Sequence, residues 1–351
     1  MEKNTIVFTA RDAITCAIYN RANQTWCLGT FDGEIIVLDV FFRMVRRWKG
    51  HERVVWGLVF PSDGGLVSGS WDGFVKRWDL ETGREEDPPS VVWARNLGGR
   101  DINALAELPD GRVAAGCQDS TVRVLDLGTG QEIQRSDGTS LVCRGHTHWV
   151  GAVISLGDLS AGSFASGSGE GTIRVWASEA EGGISSHGTP RQVVEVRNGV
   201  TSISLSPCGG LVAAGCRDGS VRLFRLPEVT SGQPQGWDTI WSMSVHTKWV
   251  NSVSFSPNGR FIASGSDDTT VKLLCTKTGV LQKTFEGHTL LVSSALFSQN
   301  GTKILSGSND NTVRVWPLYP DLERQMASLI YGMKDNGSVL KNLYVRLIYS
   351  L

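Results

Sequence analysis

The stretch "SGSWDGFVKRW" (residues 68–78) recurs almost unchanged as "SGSNDNTVRVW" (residues 306–316). A Gly-His pair stands shortly before each copy, Gly50-His51 in the first case and Gly287-His288 in the second. Ser, His and Asp are also the residues of a hydrolytic triad. The repeat therefore permits two interpretations, a catalytic site or a structural unit.

The turn that contains the acidic residue of this motif occurs seven times along the chain. Successive acidic residues are 40 to 51 residues apart. They are Asp32, Asp72, Asp119, Glu170, Asp218, Asp268 and Asp310. A recurrence at this spacing indicates a repeat architecture, in which each repeat is one supersecondary unit.

Each unit has the pattern of a small antiparallel sheet. In the second unit, three segments joined by Gly- and Asp-containing turns predict successive strands: "VVWGLVF" (54–60), "LVSGS" (66–70) and "FVKRWDL" (74–80). A fourth strand follows in most units, for example "VLQKTFEGH" (280–288). A four-stranded meander cannot bury both faces alone, whereas seven of them arranged around an axis can. The sequence therefore predicts an all-β, seven-bladed β-propeller.

The Gly-His openings, the Asp turns and the pair Trp78-Asp79 resemble WD40 repeats, over roughly residues 5–318. In WD40 propellers the N-terminal strand usually completes the last blade. The resemblance thus implies that residues 4–9, "NTIVFT", close blade seven. We expect residues 1–318 to form the propeller and residues 319–351 to form a C-terminal extension.

The same resemblance implies a buried hydrogen-bonded chain of His, Ser, Asp and Trp within a blade. Blades two and seven have all four residues, blade four has Glu for Asp, and blade six has Leu274 for Trp. The residues are His51, Ser68, Asp72 and Trp78; His288, Ser306, Asp310 and Trp316; His146, Ser166, Glu170 and Trp176; and His246, Ser264 and Asp268. A catalytic triad would occur once, with an exposed nucleophile and oxyanion donors. The repetition favours a structural role, and we expect the chain not to be an enzyme and to need no cofactor.

In a meander blade, the loop before the first strand and the loop between the second and third strands lie on one face, here called the top face. In similar propellers this face commonly binds peptides. Its predicted binding residues are Phe31, Arg53, Trp71, Trp149, Arg217, Lys248, Trp249, Asp267 and Asn309. Aromatic residues and Arg on a rigid rim are typical of binding hot spots. An alternative for Trp149 and Trp249 is packing against the neighbouring blade.

Charge and cysteine content argue against other classes of site. The formal net charge is −1, and the basic segment "RMVRRWKG" (43–50) lies on a predicted outer strand. Direct nucleic-acid binding is therefore not expected. The seven Cys include no CxxC pair, so neither a zinc site nor a disulfide framework is predicted.

The ends of the chain give expectations about location and partners. The start "MEKNTIVFTARD" lacks the pattern of a signal peptide, and no apolar run is long enough to span a membrane. We therefore expect no membrane insertion and a cytoplasmic, or else nuclear, location.

The C-terminal extension carries an apolar stripe at helical spacing, followed by the apolar segment "SVLKNLYVRLIYSL" (338–351). The stripe comprises Leu322, Met326, Leu329, Ile330 and Met333. It predicts an amphipathic helix that either packs on the propeller or docks into a partner.

The sequence therefore predicts a non-catalytic scaffold or adaptor that holds protein partners within a larger assembly, through the top face and the C-terminal extension. The alternative is a ribosome- or RNA-associated signalling adaptor resembling the receptor-for-activated-kinase propellers, which share the patterns "HTHWV" (146–150) and "HTKWV" (246–250). Self-association is left open.

Overall fold

The computed structural model describes residues 5–82, 88–134, 138–157, 163–176, 190–227 and 236–318. These residues form 28 β-strands arranged in seven antiparallel four-stranded sheets, one for each blade. The predicted all-β, seven-bladed propeller is therefore confirmed. The C-terminal extension, with its predicted helix and apolar segment, lies outside the described residues.

Blades one to six each use four consecutive strands, numbered in chain order. Blade one has β2–β5 (Ile14–Asn20, Thr25–Thr30, Glu34–Leu38, Met44–Lys49), blade two β6–β9 (Val55–Val59, Leu66–Ser70, Phe74–Asp79, Ser90–Asn96) and blade three β10–β13 (Ile102–Leu108, Arg112–Cys117, Val122–Asp126, Val142–Cys143). Blade four has β14–β17 (Val150–Ser155, Phe164–Ser168, Thr172–Trp176, Gln192–Glu195), blade five β18–β21 (Val200–Leu205, Leu211–Cys216, Ser220–Arg225, Asp238–Ser244) and blade six β22–β25 (Val250–Phe255, Phe261–Ser266, Val271–Cys275, Leu281–Phe285).

Blade seven closes the ring with a strand from the start of the chain. It combines β26–β28 (Val292–Phe297, Lys303–Ser308, Thr312–Pro317) with β1 (Thr5–Thr9), which pairs antiparallel with β28. Closure by the N-terminal strand agrees with the prediction. The pairing covers an edge that β28 would otherwise expose.

The hydrophobic core is divided into clusters between neighbouring blades. Between blades one and two, for example, Ile35 and Trp48 of one sheet pack with Leu58, Leu66 and Trp78 of the next. Trp48 and Trp78 meet edge to face with ring centroids 5.7 Å apart. Each blade thus buries its faces only against its neighbours, as expected for radially arranged meanders.

A glycine in the second strand of every blade sets the spacing to the next blade. A Cβ atom added to any of these glycines would lie 2.5–2.8 Å from the Val or Ile that opens the first strand of the following blade. The pairs are Gly29–Val55, Gly69–Ile102, Gly116–Val150, Gly167–Val200, Gly215–Val250, Gly265–Val292 and Gly307–Ile14. A larger residue at any of these positions would require the Val or Ile side chain of the neighbouring blade to shift. The last pair links blade seven back to blade one.

The first strand of every blade also carries a β-bulge one residue after this Val or Ile. The register shifts around Thr15, Trp56, Asn103, Gly151, Thr201, Asn251 and Ser293, and all seven residues line the central channel. A bulge leaves its extra residue unpaired in the ladder and re-aims the side chain. The bulges therefore direct seven side-chain positions towards the axis.

Five of these bulge residues bridge to the next blade by a side-chain hydrogen bond. Each donates to the backbone carbonyl of the Val or Ile that opens that blade. The bonds run from Thr15 to Val55, Asn103 to Val150 (3.3 Å), Thr201 to Val250, Asn251 to Val292 (3.1 Å) and Ser293 to Ile14 (2.6 Å). At the remaining two positions, the Trp56 side chain makes no such bond among the described residues, and Gly151 has no side chain to make one.

The basic segment of residues 43–50 makes contacts within the protein. Arg46 is only 8% exposed and donates to the carbonyl oxygens of Leu80 and Thr82 in blade two, at 3.2 and 2.8 Å. Arg47 Nε lies 3.6 Å from a Glu34 carboxylate oxygen. The segment therefore stabilises the outer edge of blades one and two.

The structure adds two observations on the other expectations. All seven cysteines are free thiols. The part of the chain that the structure describes contains no helix long and apolar enough to cross a membrane.

Gly307 contacts Ile14 at the seam, the boundary between two neighbouring blades, where blade seven meets blade one. This contact predicts that Gly307→Ala destabilises the closed ring. The new Cβ would lie 2.7 Å from Ile14 Cγ2, and overpacking of this kind costs about 1–3 kcal/mol. Urea denaturation should show that loss in the free energy of unfolding. Gly210→Ala is the control, because no atom lies within 4 Å of its added Cβ. Equal stability of the two variants would contradict the proposed role of the seam glycine.

Candidate interaction site

A hydrogen-bonded chain crosses blade two from its core to its top face. Trp78 Nε1 donates to Ser68 Oγ at 2.8 Å, and Ser68 Oγ lies 2.7 Å from His51 Nε2. His51 Nδ1 lies 2.9 Å from Asp72 Oδ2. Because an ionised carboxylate can only accept, Nδ1 carries the imidazole proton and Nε2 accepts from the Ser hydroxyl. Every member of the chain thus has a partner.

The same arrangement occurs in three further blades, with the substitutions noted above. In blade seven the His288–Asp310, His288–Ser306 and Trp316–Ser306 distances are 2.8, 2.7 and 2.7 Å. In blade four the His146–Glu170, His146–Ser166 and Trp176–Ser166 distances are 2.6, 2.7 and 2.8 Å. In blade six His246 lies 2.8 Å from both Asp268 and Ser264, while Leu274 is fully buried at the Trp position.

These chains hold the top loops in place. Asp72 accepts from the backbone amides of Glu52 (3.1 Å) and Phe74 (2.9 Å) as well as from His51. It thereby ties the loop before β6 to the turn between β7 and β8. Ser68 is fully buried, so its hydroxyl has no access to a substrate. The chain of bonds positions a surface and presents no nucleophile.

Burial and hydrogen bonding fix the charges of these groups. Burial alone would raise the pKa of Asp72, but the bond from His51 and those from backbone amides outweigh it and hold the pKa at about 2, below the usual 3.8. Burial lowers the pKa of His51 below the usual 6.5, although Asp72 partly opposes the effect. Blade seven repeats this pattern, with the pKa of Asp310 at about 2 and that of His288 lowered. The carboxylates are therefore ionised and the imidazoles neutral at neutral pH.

Both sets of predicted top-face residues lie side by side. In every blade the amide of the residue before the turn acid donates to a carbonyl just before the first strand, at 2.8–3.0 Å. The pairs are Phe31–Ala13, Trp71–Val54, Gln118–Asp101, Gly169–Trp149, Arg217–Gly199, Asp267–Trp249 and Asn309–Leu291. This bond brings the two loops of each blade together around the mouth of the central channel.

The channel contains a cavity of about 520 Å³, and five of the nine predicted residues line it. They are Trp71, Trp149, Trp249, Asp267 and Asn309. Phe31, Arg53 and Lys248 are exposed on the surrounding rim. Arg217 joins the cavity-lining group through contacts with two of the tryptophans.

One aromatic cluster lies on blades two and three. Trp71 stacks on Trp56 with ring centroids 5.5 Å apart, and its Nε1 donates to Asn103 Oδ1 at 2.9 Å. Arg53 donates to the Trp71 carbonyl (2.8 Å) and pairs with Asp101 (3.2 Å). Sequence reasoning missed Trp56 and Asn103. Their position directly after the Val or Ile of the first strand is the signal that identifies them.

A second cluster spans blades four, five and six. The Arg217 guanidinium lies 3.9 Å from the ring centroid of Trp249 and 5.9 Å from that of Trp149. Trp149 is half-buried, whereas 39% of Trp249 is exposed. The alternative of packing therefore describes part of Trp149, and both rings retain accessible surface at the mouth.

The polar residues of blades six and seven complete the mouth. Asn251 donates from Nδ2 to Asp267 Oδ1 at 2.6 Å, in addition to its bond to the next blade. Asn309 Oδ1 is buried and has no hydrogen-bond partner among the described residues. Leu290 beside it is 53% exposed. The mouth thus combines indole faces, one stacked guanidinium and a few amide and carboxylate groups.

The blade-two chain predicts that Ser68→Ala is more destabilising than Ser264→Ala. The first substitution leaves both Trp78 Nε1 and His51 Nε2 without partners, and each unsatisfied buried group costs about 1–3 kcal/mol. The second affects only His246, since Leu274 has no polar group. Chemical denaturation of both variants measures the difference. Equal losses would show that the Trp bond contributes nothing.

The lowered pKa values predict that stability falls as the pH is reduced from about 7 to about 5. Unfolded imidazoles take up protons below about pH 6.5, whereas buried His51, His146 and His288 resist protonation, so the unfolded state binds more protons. The carboxylates add a further loss as the pH falls through about 4 towards their folded values. Urea denaturation at several pH values in this range should show that the free energy of unfolding of His288→Gln depends less steeply on pH than that of the wild type. The exposed His148 is the control. If His148→Gln changed the pH dependence of the free energy of unfolding as much as His288→Gln, the attribution of this dependence to the buried histidines would be wrong.

Comparison with known proteins places these features in a family. Residues 42–79, 138–177, 188–225, 237–273 and 279–317 match the family described as WD domain, G-beta repeat, and together they cover more than half of the chain. Blade three and strands β2–β4 of blade one lie almost wholly outside these matches. Both blades lack the Ser and Trp of the hydrogen-bonded chain and carry buried Leu28 and Leu38, or Ala115 and Leu125.

Several curated proteins share parts of the sequence. The small ribosomal subunit protein RACK1y of Oryza sativa subsp. japonica is 28% identical over 185 residues, which are 52% of this chain and 51% of that protein. The ribosome biogenesis protein WDR12 homolog of Chlamydomonas reinhardtii is 30% identical over 131 residues (36% and 27%). Ribosome biogenesis protein YTM1 of Candida albicans is 30% identical over 135 residues (38% and 27%). The chain thus spans about half or less of the length of these relatives. With seven meander blades and five matching repeats, it belongs to the WD40 family, the proteins with WD-domain, G-beta repeats.

Proposed function

We propose that the chain is a non-catalytic scaffold that holds protein partners within a larger assembly. The observation that carries this proposal is the rigid top face, where two tryptophan clusters surround the channel mouth on loops fixed by buried hydrogen bonds. Trp and Arg at a preorganised surface provide contact area at a low cost in conformational entropy. The buried Ser hydroxyls of the repeated chains offer no alternative chemistry.

The proposal includes two binding regions. The top face would bind one partner through Trp71, Trp149, Arg217 and Trp249. Residues 319–351, proposed as an extension separate from the propeller of residues 1–318, would provide the second contact through their apolar stripe. Cytoplasm or nucleus is the proposed location, consistent with relatives named as ribosomal and ribosome-biogenesis proteins.

A ribosome-associated adaptor is the second candidate, favoured by the names of those relatives. The two candidates differ in what the chain sediments with. An adaptor of ribosomal particles would move with them in a sucrose gradient and leave them at high salt, because contacts to nucleic acid weaken with ionic strength. A scaffold of another assembly would migrate independently of ribosomal particles.

Partner binding should depend on Trp249 and not on an exposed apolar residue elsewhere in the same blade. Trp249→Ala removes an indole from the rim. It should reduce the affinity for a partner of the top face by about 2 kcal/mol or more, a roughly thirtyfold increase in Kd. Affinity purification with quantitative mass spectrometry, from cells that express the chain, would compare it with the wild type. Leu281→Ala on the outer strand β25 is the matched control, since Leu281 is 42% exposed and pairs with Leu274 at the end of β24 that lies away from the turn at Asp268.

A chain ending at Leu318 completes the experiment. Partners lost only from the truncated chain would bind the extension, and partners lost only from Trp249→Ala would bind the top face. A partner set unaffected by both changes would exclude the two proposed regions.

A further inference from the structure

The second aromatic cluster of the channel mouth holds a cation without a carboxylate partner. The planar guanidinium of Arg217 lies over the Trp249 ring at 3.9 Å, with Trp149 5.9 Å away on blade four. Within the part of the chain that the structure describes, no Asp or Glu forms an ion pair with Arg217. Two other arginines differ in this respect, since Arg53 of the top face pairs with Asp101, and Arg222 of β20 pairs with Asp218.

The neighbouring acid is engaged elsewhere. Asp218 follows Arg217 directly in the chain, but its carboxylate accepts from Arg222 at 3.1 Å and from Asn198 Nδ2 at 2.6 Å. Lys248, also exposed beside this cluster, has no ion pair among the described residues either. Arg217 and Lys248 therefore carry positive charge on this rim without an ion pair among the described residues, while Asp267 of blade six accepts from Asn251.

Three glycines make room for this cluster. A Cβ on Gly151 or Gly169 would overlap the Trp149 ring, and a Cβ on Gly199 would overlap Cδ of Arg217. Gly151 is also the bulge residue that gives up the hydrogen bond to the next blade. The backbone that contacts Trp149 and Arg217 thus lacks side chains at these three positions, and the observed placement of both residues depends on the glycines.

The stack determines how Arg217 can bind. An indole face attracts a guanidinium through cation–π interaction and leaves the N–H groups at the edge of the fork free. A carboxylate matches two parallel N–H groups of one guanidinium. Trp149 and Trp249 would enclose such a pair with apolar surface, which strengthens charge-assisted hydrogen bonds by excluding water.

We propose that Arg217, flanked by Trp149 and Trp249, binds the carboxylate of an acidic segment of a partner protein. A carboxylate fits better than a phosphate, because phosphate recognition uses clusters of arginines and this site has a single one. The inference rests on the proposed scaffold function and specifies the chemistry of the segment that its top face takes.

The test selects peptides on the full-length chain. A phage-displayed library of random linear peptides is panned on the wild type, on Arg217→Glu and on Arg225→Glu. Arg225 is exposed at the end of β20, at the opposite end of the same blade, and is the matched control. Circular dichroism and thermal melting establish that each variant is folded.

The wild type and Arg225→Glu should enrich peptides with Asp or Glu at a fixed position between apolar residues. Arg217→Glu should lose these sequences and enrich Lys or Arg at that position instead. A synthetic peptide from the wild-type selection should bind Arg217→Lys about tenfold more weakly by fluorescence anisotropy, because lysine lacks the planar fork. A selection without acidic enrichment, or one that Arg217→Glu leaves unchanged, would overturn the inference.

Two further results separate the possible failures. If phosphoserine in place of the acidic residue binds about tenfold more tightly than Asp or Glu, the carboxylate assignment is wrong. If peptides depend on Trp249 but not on Arg217, the scaffold proposal stands and only the acidic specificity fails. If no partner or peptide depends on either residue, the top-face part of the scaffold proposal fails as well.

Discussion

A glycine packed against a β-branched side chain fixes the distance between neighbouring blades, and the ring depends on that distance. The contact occurs at all seven seams, the last of which joins Gly307 to Ile14. In a closed ring an error at one seam must be absorbed by the others, since the blades share one circumference. The interblade clusters, the channel and the top loops all take their positions from this spacing. A substitution that adds a side chain at one of these glycines therefore affects more than its local contact.

The bulge residues of the inner strands line the central channel, and their side chains differ from one blade boundary to the next. At five seams a polar bulge residue bridges to the next blade, as Asn251 does to Val292. At the other two the bridge is absent, and the aromatic clusters lie there: Trp56 supports Trp71, and Gly151 leaves space for Trp149. Trp71 and Trp149 thus lie at the two boundaries that lack the common interblade bond, whereas Arg217 and Trp249 meet across the boundary that Thr201 bridges. The remaining five bridges and the buried His–Ser chains keep the mouth rigid.

The fold could be predicted because its signal is repeated. Seven acidic turns at similar spacing determine the number of blades, and each glycine of the seams stands three residues before its turn acid, from Gly29 to Gly307. The composition of the mouth was harder to predict. Arg217 and Trp249 were assigned to one face from their place in the repeat, but their stacking joins different blades and depends on blade tilt, which no local pattern encodes. Trp56 and Asn103 were missed because a bulge interrupts the alternation on which strand faces are assigned.

The pairing of β1 with β28 has a consequence for synthesis of the protein. Thr9 lies opposite Thr312, so the strand made first waits until nearly all of the propeller has left the ribosome before it finds its partner. Six blades can form in turn from contiguous chain during that time, but the ring stays open, with the inner strands of blade one uncovered at the gap. Pairing between strands so far apart in the chain slows folding, and until it occurs the open ring exposes apolar surface that is prone to aggregation. The topology that closes the finished ring therefore delays the covering of this gap until β28 has been synthesised.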